Sequence, residues 1–197
     1  MKKRIFLFTI LTCAALLLSA CQKSTGADDT KKDAPEKTAG SSTLENFKLQ
    51  RLDGTETDLN SLLQKAELTV VNIWDPSCDT CPDEMKIFSE LSGQYSGKGI
   101  QVVGIVRGVT KEKDEDALAV IADTDAHYIH LLDSDELDKQ ILDQYPDTPT
   151  TIFISRDGRQ LGTAYTKAED KAFWETEFEK YHSQICENDH PADCAVG

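Results

Sequence analysis

Two pairs of cysteines are the residues of this sequence whose type and spacing can do redox chemistry. Two residues separate Cys78 from Cys81, and seven separate Cys186 from Cys194. Paired thiols can exchange a disulfide with another protein, form a structural disulfide or bind a metal ion. The remaining two of the six cysteines lie near the N-terminus, where the surrounding sequence indicates a different role.

The position of the Cys78-x-x-Cys81 segment favours redox chemistry. It follows a β-branched apolar run that ends at Trp74 and precedes an apolar helical pattern that begins at Met85. The start of a helix offers unpaired backbone N–H groups and a partial positive charge, and both stabilise a thiolate. The sequence therefore predicts Cys78 as the nucleophile and Cys81 as the thiol that resolves the mixed disulfide. A structural zinc site or an inert disulfide is the alternative for this pair.

The second pair, Cys186 and Cys194, admits three interpretations. A structural disulfide would pin the C-terminal tail to the last helix, and an even number of thiols in an exported protein favours it. A metal site could add His182 or His190, although the spacing is irregular for zinc. A secondary redox pair would have to lie close to the first pair. We expect a disulfide between Cys186 and Cys194. For the protein as a whole we expect no metal ion, flavin or nucleotide as cofactor, since a dithiol can carry out the redox reaction.

Strand and helix patterns alternate along the chain around these cysteines. Short β-branched runs are typical of strands buried in a parallel sheet, and apolar residues at helical spacing lie between them. Asp-Gly pairs at two places predict antiparallel hairpins. This order predicts an α/β fold with a mixed central sheet and helices on both faces. The predicted strands are 46–52, 68–74, 100–106, 127–132, 150–155 and 160–166, and the helical stripes span 85–95, 137–145 and 174–185.

The N-terminus has the features of an export signal. Three basic residues precede an apolar stretch, and residues 18–21 (LSAC) resemble the bacterial lipobox, whose cysteine receives a diacylglyceryl group built from fatty acids such as palmitate. An uncleaved anchor or an ordinary secretory signal is the alternative. We expect a protein outside the cytoplasm that Cys21 anchors to the lipid bilayer of the bacterial cell membrane. The predicted parts are a lipoprotein signal peptide (1–20), a lipidated disordered tether (21–43), a folded domain (44–185) and a tail with a cysteine pair (186–197).

The charge balance excludes several classes of partner. The chain carries 21 Lys and Arg against 35 Asp and Glu, a formal net charge of −14. A surface this acidic repels the phosphates of nucleic acids and of anionic lipids, so attachment to a membrane would need the lipid. No glycine-rich phosphate-binding motif occurs in the sequence.

Two segments resemble a known family. Residues 71–85 (VNIWDPSCDTCPDEM) are similar to the active-site segment of the TlpA/ResA group of extracytoplasmic disulfide reductases. Residues 148–151 (TPTT), with the apolar strand and Asp-Gly turn that follow, resemble the cis-proline segment of the same group. The similarity covers about residues 44–182, and it implies a thioredoxin-like fold.

The resemblance implies roles for five residues. Cys78 would be the attacking cysteine and Cys81 the resolving one, with the aromatic ring of Trp74 beside them. Glu84, one helical turn after Cys81, would tune the proton affinities of the thiols. Pro149 would be a cis residue that faces the disulfide, and its chain edge would pair with a substrate strand. An exposed helix acid at position 84 and a trans proline at the start of a strand are the alternatives.

The sequence departs from related proteins at the active-site segment. Asn72 stands where thioredoxin carries a buried aspartate, so that route for a proton is missing. The dipeptide between the cysteines is Asp79-Thr80 rather than one with proline, and a carboxylate there should destabilise a thiolate. Pro82 is expected to remove one helix donor and to bend the helix.

These observations predict a membrane-anchored thiol–disulfide oxidoreductase outside the cytoplasm that acts mainly as a reductase. By resemblance, a membrane thiol carrier would supply electrons and disulfides in exported proteins would receive them. A peroxiredoxin is one alternative, although Asp83 stands where its peroxidatic cysteine would follow Pro76 and Thr80. A non-catalytic binding or metallochaperone lipoprotein is another. His127 and His130 are predicted on opposite faces of one strand, as packing and surface residues rather than ligands.

Overall fold

Residues 43–188, which the computed structural model describes, form seven strands and five α-helices. The strands are β1 (Lys48–Gln50), β2 (Glu56–Asp58), β3 (Leu68–Trp74), β4 (Ile100–Val106), β5 (Ile129–Leu132), β6 (Thr150–Ser155) and β7 (Gln160–Tyr165). The helices are α1 (Leu59–Leu63), α2 (Cys81–Tyr95), α3 (Glu115–Thr124), α4 (Asp135–Gln140) and α5 (Lys171–Asn188). Short 3-10 helices follow α2 at Ser96–Lys98 and α4 at Leu142–Gln144.

Five of these strands form a mixed sheet in the order β5-β4-β3-β6-β7. β3 runs parallel to β4, and β4 runs parallel to β5, whereas β6 is antiparallel to both β3 and β7. Every residue of β3 and β6 is buried, as expected of strands that helices cover on both faces. The carboxyl ends of β3, β4 and β5 therefore meet at one edge of the sheet, which is where the cysteine pair follows β3.

Apolar side chains fill the space between the sheet and helices on both of its faces. The alternation of side chains along each strand sends odd-numbered residues of β3 to one face and even-numbered ones to the other. Helices α1 and α4 cover the first face, and α2, α3 and α5 cover the second. Buried residues of the first face include Leu62, Val71, Ile73, Ile105, Leu137 and Ile152, and those of the second include Val70, Met85, Phe88, Ile121, Phe153, Trp174 and Phe178.

The predicted architecture, a mixed sheet with helices on both faces, is confirmed. Strands β3, β4 and β6 begin and end at the predicted residues. The predicted first strand, 46–52, is β1, and it forms a hairpin with β2 around the Asp53-Gly54 turn. Gly54 has a φ of +88° there, which favours glycine. Two helices, α1 and α3, were not indicated by the apolar pattern.

The fourth predicted strand and the second predicted helix differ from the structure. β5 begins at Ile129, so His127 lies before the strand with its side chain exposed, while His130 is buried within the strand. The helical stripe over 137–145 is interrupted, because Ile141 leaves helical geometry with φ −131° and ψ −61°. The chain then forms a 3-10 turn, and this break lets the adjacent side chains of Ile141 and Leu142 both enter the core.

The predicted signal peptide, the lipidated Cys21 and all of the tether except Thr43 lie outside the described residues, as does most of the predicted tail. Within residues 43–188, no helix has both the length and the apolar character that crossing a membrane requires. The division of the chain into these parts therefore stays a prediction.

Candidate active site

Cys78 and Cys81 are joined in a disulfide at the point where the chain passes from β3 into α2. Cys81 is the first residue of α2 and is 1% exposed, whereas Cys78 is half-buried. The backbone N–H of Cys81 donates to the sulfur of Cys78 over 3.2 Å. The sulfur that solvent can reach is thus the one that a helix N-terminal donor contacts, and such a contact stabilises a thiolate at Cys78.

The turn that carries Cys78 is organised by the carboxylate of Asp75. Asp75 Oδ1 accepts hydrogen bonds from the backbone N–H of Ser77 at 2.9 Å and from its hydroxyl at 2.6 Å. The Asp75 carbonyl accepts from the N–H of Cys78 at 3.2 Å. Burial alone would raise the pKa of Asp75, but the hydrogen bonds from Ser77 and Thr148 outweigh it and hold that pKa below its ordinary value.

A further hydrogen bond to the Asp75 carboxylate joins the loop before β6 to this turn. The hydroxyl of Thr148 donates to Asp75 Oδ2 over 2.5 Å. Thr148 is followed by Pro149, which is buried, and the peptide bond between them is cis, as the resemblance implied. Because Thr150 pairs with Ile73 near the end of β3, the proline lies at the same edge of the sheet as the cysteine pair. Its contact with a substrate strand stays a prediction.

Glu84 is a buried carboxyl group and not an exposed helix acid, since only 1% of it is accessible. It lies one turn after Cys81 on α2, and both residues face inward. Its Oε2 accepts from Nδ2 of Asn72 at 3.1 Å, and its Oε1 has no hydrogen-bond partner among the described residues. Burial raises the pKa of Glu84 to about 8; the hydrogen bond from Asn72 lowers it, and the charge of Glu169 raises it further.

Asn72 therefore has a contact that the sequence did not reveal. Its side-chain amide on β3 donates to Glu84 and, over 3.4 Å, to the hydroxyl of Thr151 on β6. The hydroxyl of Tyr128 lies 3.5 Å from the Asn72 amide oxygen. The position that lacks the aspartate of thioredoxin thus holds a polar group that orients the carboxyl group on the facing helix.

Trp74 is completely buried at the end of β3 and belongs to the same apolar cluster as Cys81. Its Nε1 donates to Nδ1 of His130 over 3.2 Å, and the other ring nitrogen of His130 lies 2.8 Å from the carbonyl of Ala126. One nitrogen accepts and the other donates, so His130 is a neutral imidazole. Burial lowers its pKa to about 4. A glycine at position 104 leaves room for this pair.

The other two departures of the active-site segment, the dipeptide between the cysteines and Pro82, have different outcomes. Asp79 is exposed on the turn, and the hydroxyl of Thr80 lies 3.9 Å from the sulfur of Cys78. The expectation that Pro82 costs the helix a hydrogen bond is wrong, and the expected bend stays a prediction. Pro82 lies in the first turn of α2, where backbone N–H groups have no partner within the helix, so no internal hydrogen bond is lost.

The C-terminal pair is described only in part. Cys186 lies near the end of α5, half-buried, with its sulfur 3.8 Å from Nε2 of His182. Cys194 and His190 lie outside the described residues, so their pairing or ligation stays a prediction. Across residues 43–188, no cluster of three His, Cys, Asp or Glu side chains is arranged to hold a metal ion.

A comparison of the sequence with protein families decides the classification. Residues 41–159 match the model of the AhpC/TSA family. The chain belongs to this family. A curated family relative, the thiol-disulfide oxidoreductase ResA of Bacillus thuringiensis (strain Al Hakam), is 25% identical over 116 residues. That match covers 58% of this chain and 62% of ResA, so the chain spans less than two thirds of the length of this relative.

Solved structures confirm the thioredoxin-like fold. A thiol:disulfide interchange protein from Chlorobium tepidum TLS superposes with a TM-score of 0.61 at 17% identity, over 73% of this chain and 98% of that chain. The exposed lipoprotein thioredoxin of Streptococcus pneumoniae strain TIGR4 superposes with a TM-score of 0.52 at 20% identity, over 69% and 99%. At the level of the family, the chain is similar to a thiol–disulfide oxidoreductase, and it carries the disulfide-bonded pair Cys78–Cys81.

Proposed function

We propose that this protein is a membrane-anchored thiol–disulfide oxidoreductase outside the cytoplasm, and that it acts mainly as a reductase of disulfides in exported proteins. The observation that carries the proposal is the asymmetric Cys78–Cys81 disulfide. Its outer sulfur is accessible and receives an N–H from the helix start, whereas its inner sulfur is buried one turn from the carboxyl group of Glu84.

The reduction of a substrate proceeds in two exchanges. The thiolate of reduced Cys78 attacks one sulfur of the substrate disulfide, forms a mixed disulfide and releases the first substrate sulfur as a thiolate, which takes a proton from water. The thiol of Cys81 then loses its proton and attacks the sulfur of Cys78, and the second substrate thiolate leaves and is protonated. Two electrons and two protons have passed to the substrate, and Cys78–Cys81 is left oxidised. A dithiol donor at the membrane reverses these steps on the enzyme.

Glu84 is suited to accept the proton of Cys81 in the second exchange. A thiol in an apolar interior ionises with difficulty, so a base within reach lowers the barrier. With a pKa of about 8, the Glu84 carboxyl group of the oxidised protein holds a proton at neutral pH. This is the state expected after Cys81 has given up its proton, and the same proton can return to Cys81 when the donor reduces the pair.

The location of the protein outside the cytoplasm is supported by its relatives and by its N-terminal sequence. One structural neighbour is named an exposed lipoprotein thioredoxin. The Leu-Ser-Ala-Cys tetrapeptide of this chain ends at Cys21, to which a diacylglyceryl group would be attached. Labelling cells with a radioactive fatty acid tests the anchor: the label should enter the wild-type protein and not Cys21→Ala. Label in Cys21→Ala would contradict lipidation at this residue.

Residues of the site argue against two other functions, those of a peroxiredoxin and of a metallochaperone. A peroxiredoxin needs its peroxidatic cysteine where this chain has Asp83, which is exposed on the first turns of α2. A metallochaperone needs a set of ligands beyond the cysteine pair, and His130 is committed to Trp74 and Ala126. We therefore expect slow peroxide consumption and no tight copper or zinc binding.

The reduction of insulin by the protein, with dithiothreitol as electron donor, tests the proposed activity. The wild-type protein should accelerate insulin precipitation, and Cys78→Ser should remove the acceleration. Hydrogen peroxide consumption in the presence of the same donor is measured in parallel. An inactive wild type, or an activity that survives Cys78→Ser, would overturn the proposal, and peroxide consumption faster than insulin reduction would favour a peroxiredoxin.

A further inference from the structure

We propose that Arg107 is a positioning residue that holds the cis-proline loop, residues 141–149, in the conformation to which a substrate polypeptide binds. This inference rests on the proposed function and assigns part of its substrate recognition to a residue far from the cysteines in sequence. It follows from where the side chain of Arg107 ends and from which carbonyls of that loop it contacts.

Arg107 lies at the edge of the sheet that carries the disulfide. It directly follows β4, and its backbone N–H donates to the carbonyl of Trp74 over 2.8 Å, which extends the pairing of β3 and β4 by one step. From there its half-buried side chain crosses to the loop. Its Nη2 donates to the carbonyl of Leu142 over 3.1 Å and to that of Tyr145.

The two carbonyls lie at the end of a short helical segment. That of Leu142 accepts from the N–H of Tyr145 at 3.0 Å and takes a second donor from Arg107, and that of Tyr145 follows the turn. α4 ends at Gln140, and the 3-10 helix at Leu142–Gln144 is a single turn. The last carbonyls of a helix have no partner within it, and an arginine there supplies donors and a favourable charge. Beyond Tyr145 the chain has no regular structure until β6 begins at Thr150.

Two ties hold the loop to the strand ends near the cysteine pair, in addition to the hydrogen bond from the hydroxyl of Tyr145 to Oε1 of Gln160 on β7. Arg107 holds it at Leu142 and Tyr145, and the Thr148–Asp75 hydrogen bond holds it next to Pro149. The charge of Arg107 also contributes to the lowered pKa of Asp75, after the larger effects of burial and of the hydrogen bonds. One guanidinium group therefore supports both ties.

The guanidinium group of Arg107 donates its hydrogen bonds to backbone carbonyls, although the chain is strongly acidic. Within the described residues Arg107 forms no direct ion pair, although its charge acts on the nearby carboxyl groups of Asp75 and Asp138. Its Nε is buried without a hydrogen-bond partner there. Its direct hydrogen bonds therefore go to the backbone of the loop, and they fix the position of the loop relative to the end of β4.

The full chain with Arg107→Met, Arg107→Lys or Arg156→Met tests the inference. Arg156 is the matched control, because it also donates to a backbone carbonyl, that of Ala66 at 3.3 Å, and pairs with Glu67, but it lies after β6, at the opposite edge of the sheet. Each variant is measured with insulin and with a small aromatic disulfide, which reaches Cys78 without needing the loop.

For Arg107→Met we expect the KM for insulin to rise about tenfold, the size of one lost charged hydrogen bond, with kcat and the reaction with the small disulfide within twofold of wild type. Arg107→Lys should recover part of the KM. Arg156→Met should leave the KM for insulin unchanged, even where it lowers the free energy of unfolding as much as Arg107→Met does, or more. An unchanged KM in Arg107→Met, or an equal loss towards both disulfides, would overturn the inference.

Hydrogen exchange of the oxidised protein gives a second test that needs no turnover. The N–H of Gln144 bonds to the carbonyl of Ile141, and that of Tyr145 to the carbonyl of Leu142. Arg107→Met should speed exchange at these two amides while the amides of α2 keep their rates, and equal rates in the loop would overturn the inference. An inactive wild type would contradict the proposed function alone, because the exchange result does not depend on activity.

Discussion

Asn72 on β3 donates a hydrogen bond to Glu84 on α2, one helical turn after Cys81, with 3.1 Å between Nδ2 and Oε2. It is the one hydrogen bond to the Glu84 carboxyl group within the described residues, since Oε1 has no partner there. A carboxyl group with a single donor in an apolar interior resists ionisation. Burial raises the pKa of Glu84 to about 8 against the lowering effect of this hydrogen bond, so the carboxyl group keeps its proton at neutral pH.

Glu84→Gln should change the pH dependence of stability in the oxidised protein. The folded-state pKa of about 8 lies above the ordinary 4.5, so stability is full below pH 4.5 and is lost as the pH rises through about 8. Relative to Glu84→Gln, the wild-type free energy of unfolding should fall across this window by up to about 1.4 kcal/mol per pH unit. Urea unfolding at a series of pH values measures the difference.

The control for this slope is Glu90→Gln, on the same helix. The side chain of Glu90 is 63% exposed and pairs with Lys171 at 2.7 Å. The free energy of unfolding of Glu90→Gln should differ from that of the wild type by a nearly constant amount between pH 5 and about 8. Water solvates this carboxylate in the folded and in the unfolded protein. A constant difference for Glu84→Gln as well would show that Glu84 ionises normally in the folded protein.

Gly104→Ala should destabilise the fold by about 3 kcal/mol. A Cβ at this position would lie 2.3 Å from Nδ1 of His130 and 3.0 Å from Nε1 of Trp74, so it would break the hydrogen bond between them. Chemical denaturation measures the change. Gly93→Ala is the control: a Cβ there meets nothing within 4 Å on α2, and alanine favours the helix by about 0.5–1 kcal/mol. Equal stability of the two variants would refute the tight contact.

Cys186 and Cys194 should form a disulfide in the mature protein, which would add about 2–3 kcal/mol by restricting the unfolded chain. Mass spectrometry of a non-reduced digest should find the two peptides linked. The link should persist when Cys78 and Cys81 are both changed to serine. Thiols at both positions under oxidising conditions, or one equivalent of zinc in the purified protein, would exclude it.

The central strands could be predicted from the sequence because each is a short run rich in β-branched residues between turn residues. The break in the helical stripe at Ile141 could not, because the apolar spacing of Leu137, Ile141 and Tyr145 fits an uninterrupted helix. α1 has five residues and α3 buries only Ala117, Ile121 and Thr124, so neither has a strong apolar stripe.

The candidate site was predictable where its residues form local motifs. Cys78, Cys81 and Glu84 lie within two turns of chain, and a proline between threonines marked the loop before β6. The contacts that hold these parts together join distant residues. Asp75 and Thr148 are 73 positions apart, and Arg107 and Leu142 are 35 apart. Hydrogen bonds between such positions leave no periodic signal in a single sequence.

The central claim is that Cys78 attacks substrates and Cys81 resolves them, and trapping of mixed disulfides tests it most directly. Cys81→Ser and Cys78→Ser are expressed as full-length proteins, and their disulfide-linked complexes are compared after thiols are blocked in acid. Cys81→Ser should accumulate complexes through the accessible sulfur of Cys78, and Cys78→Ser should accumulate almost none, because Cys81 is buried. Equal trapping by both variants, or trapping by Cys78→Ser alone, would contradict this account.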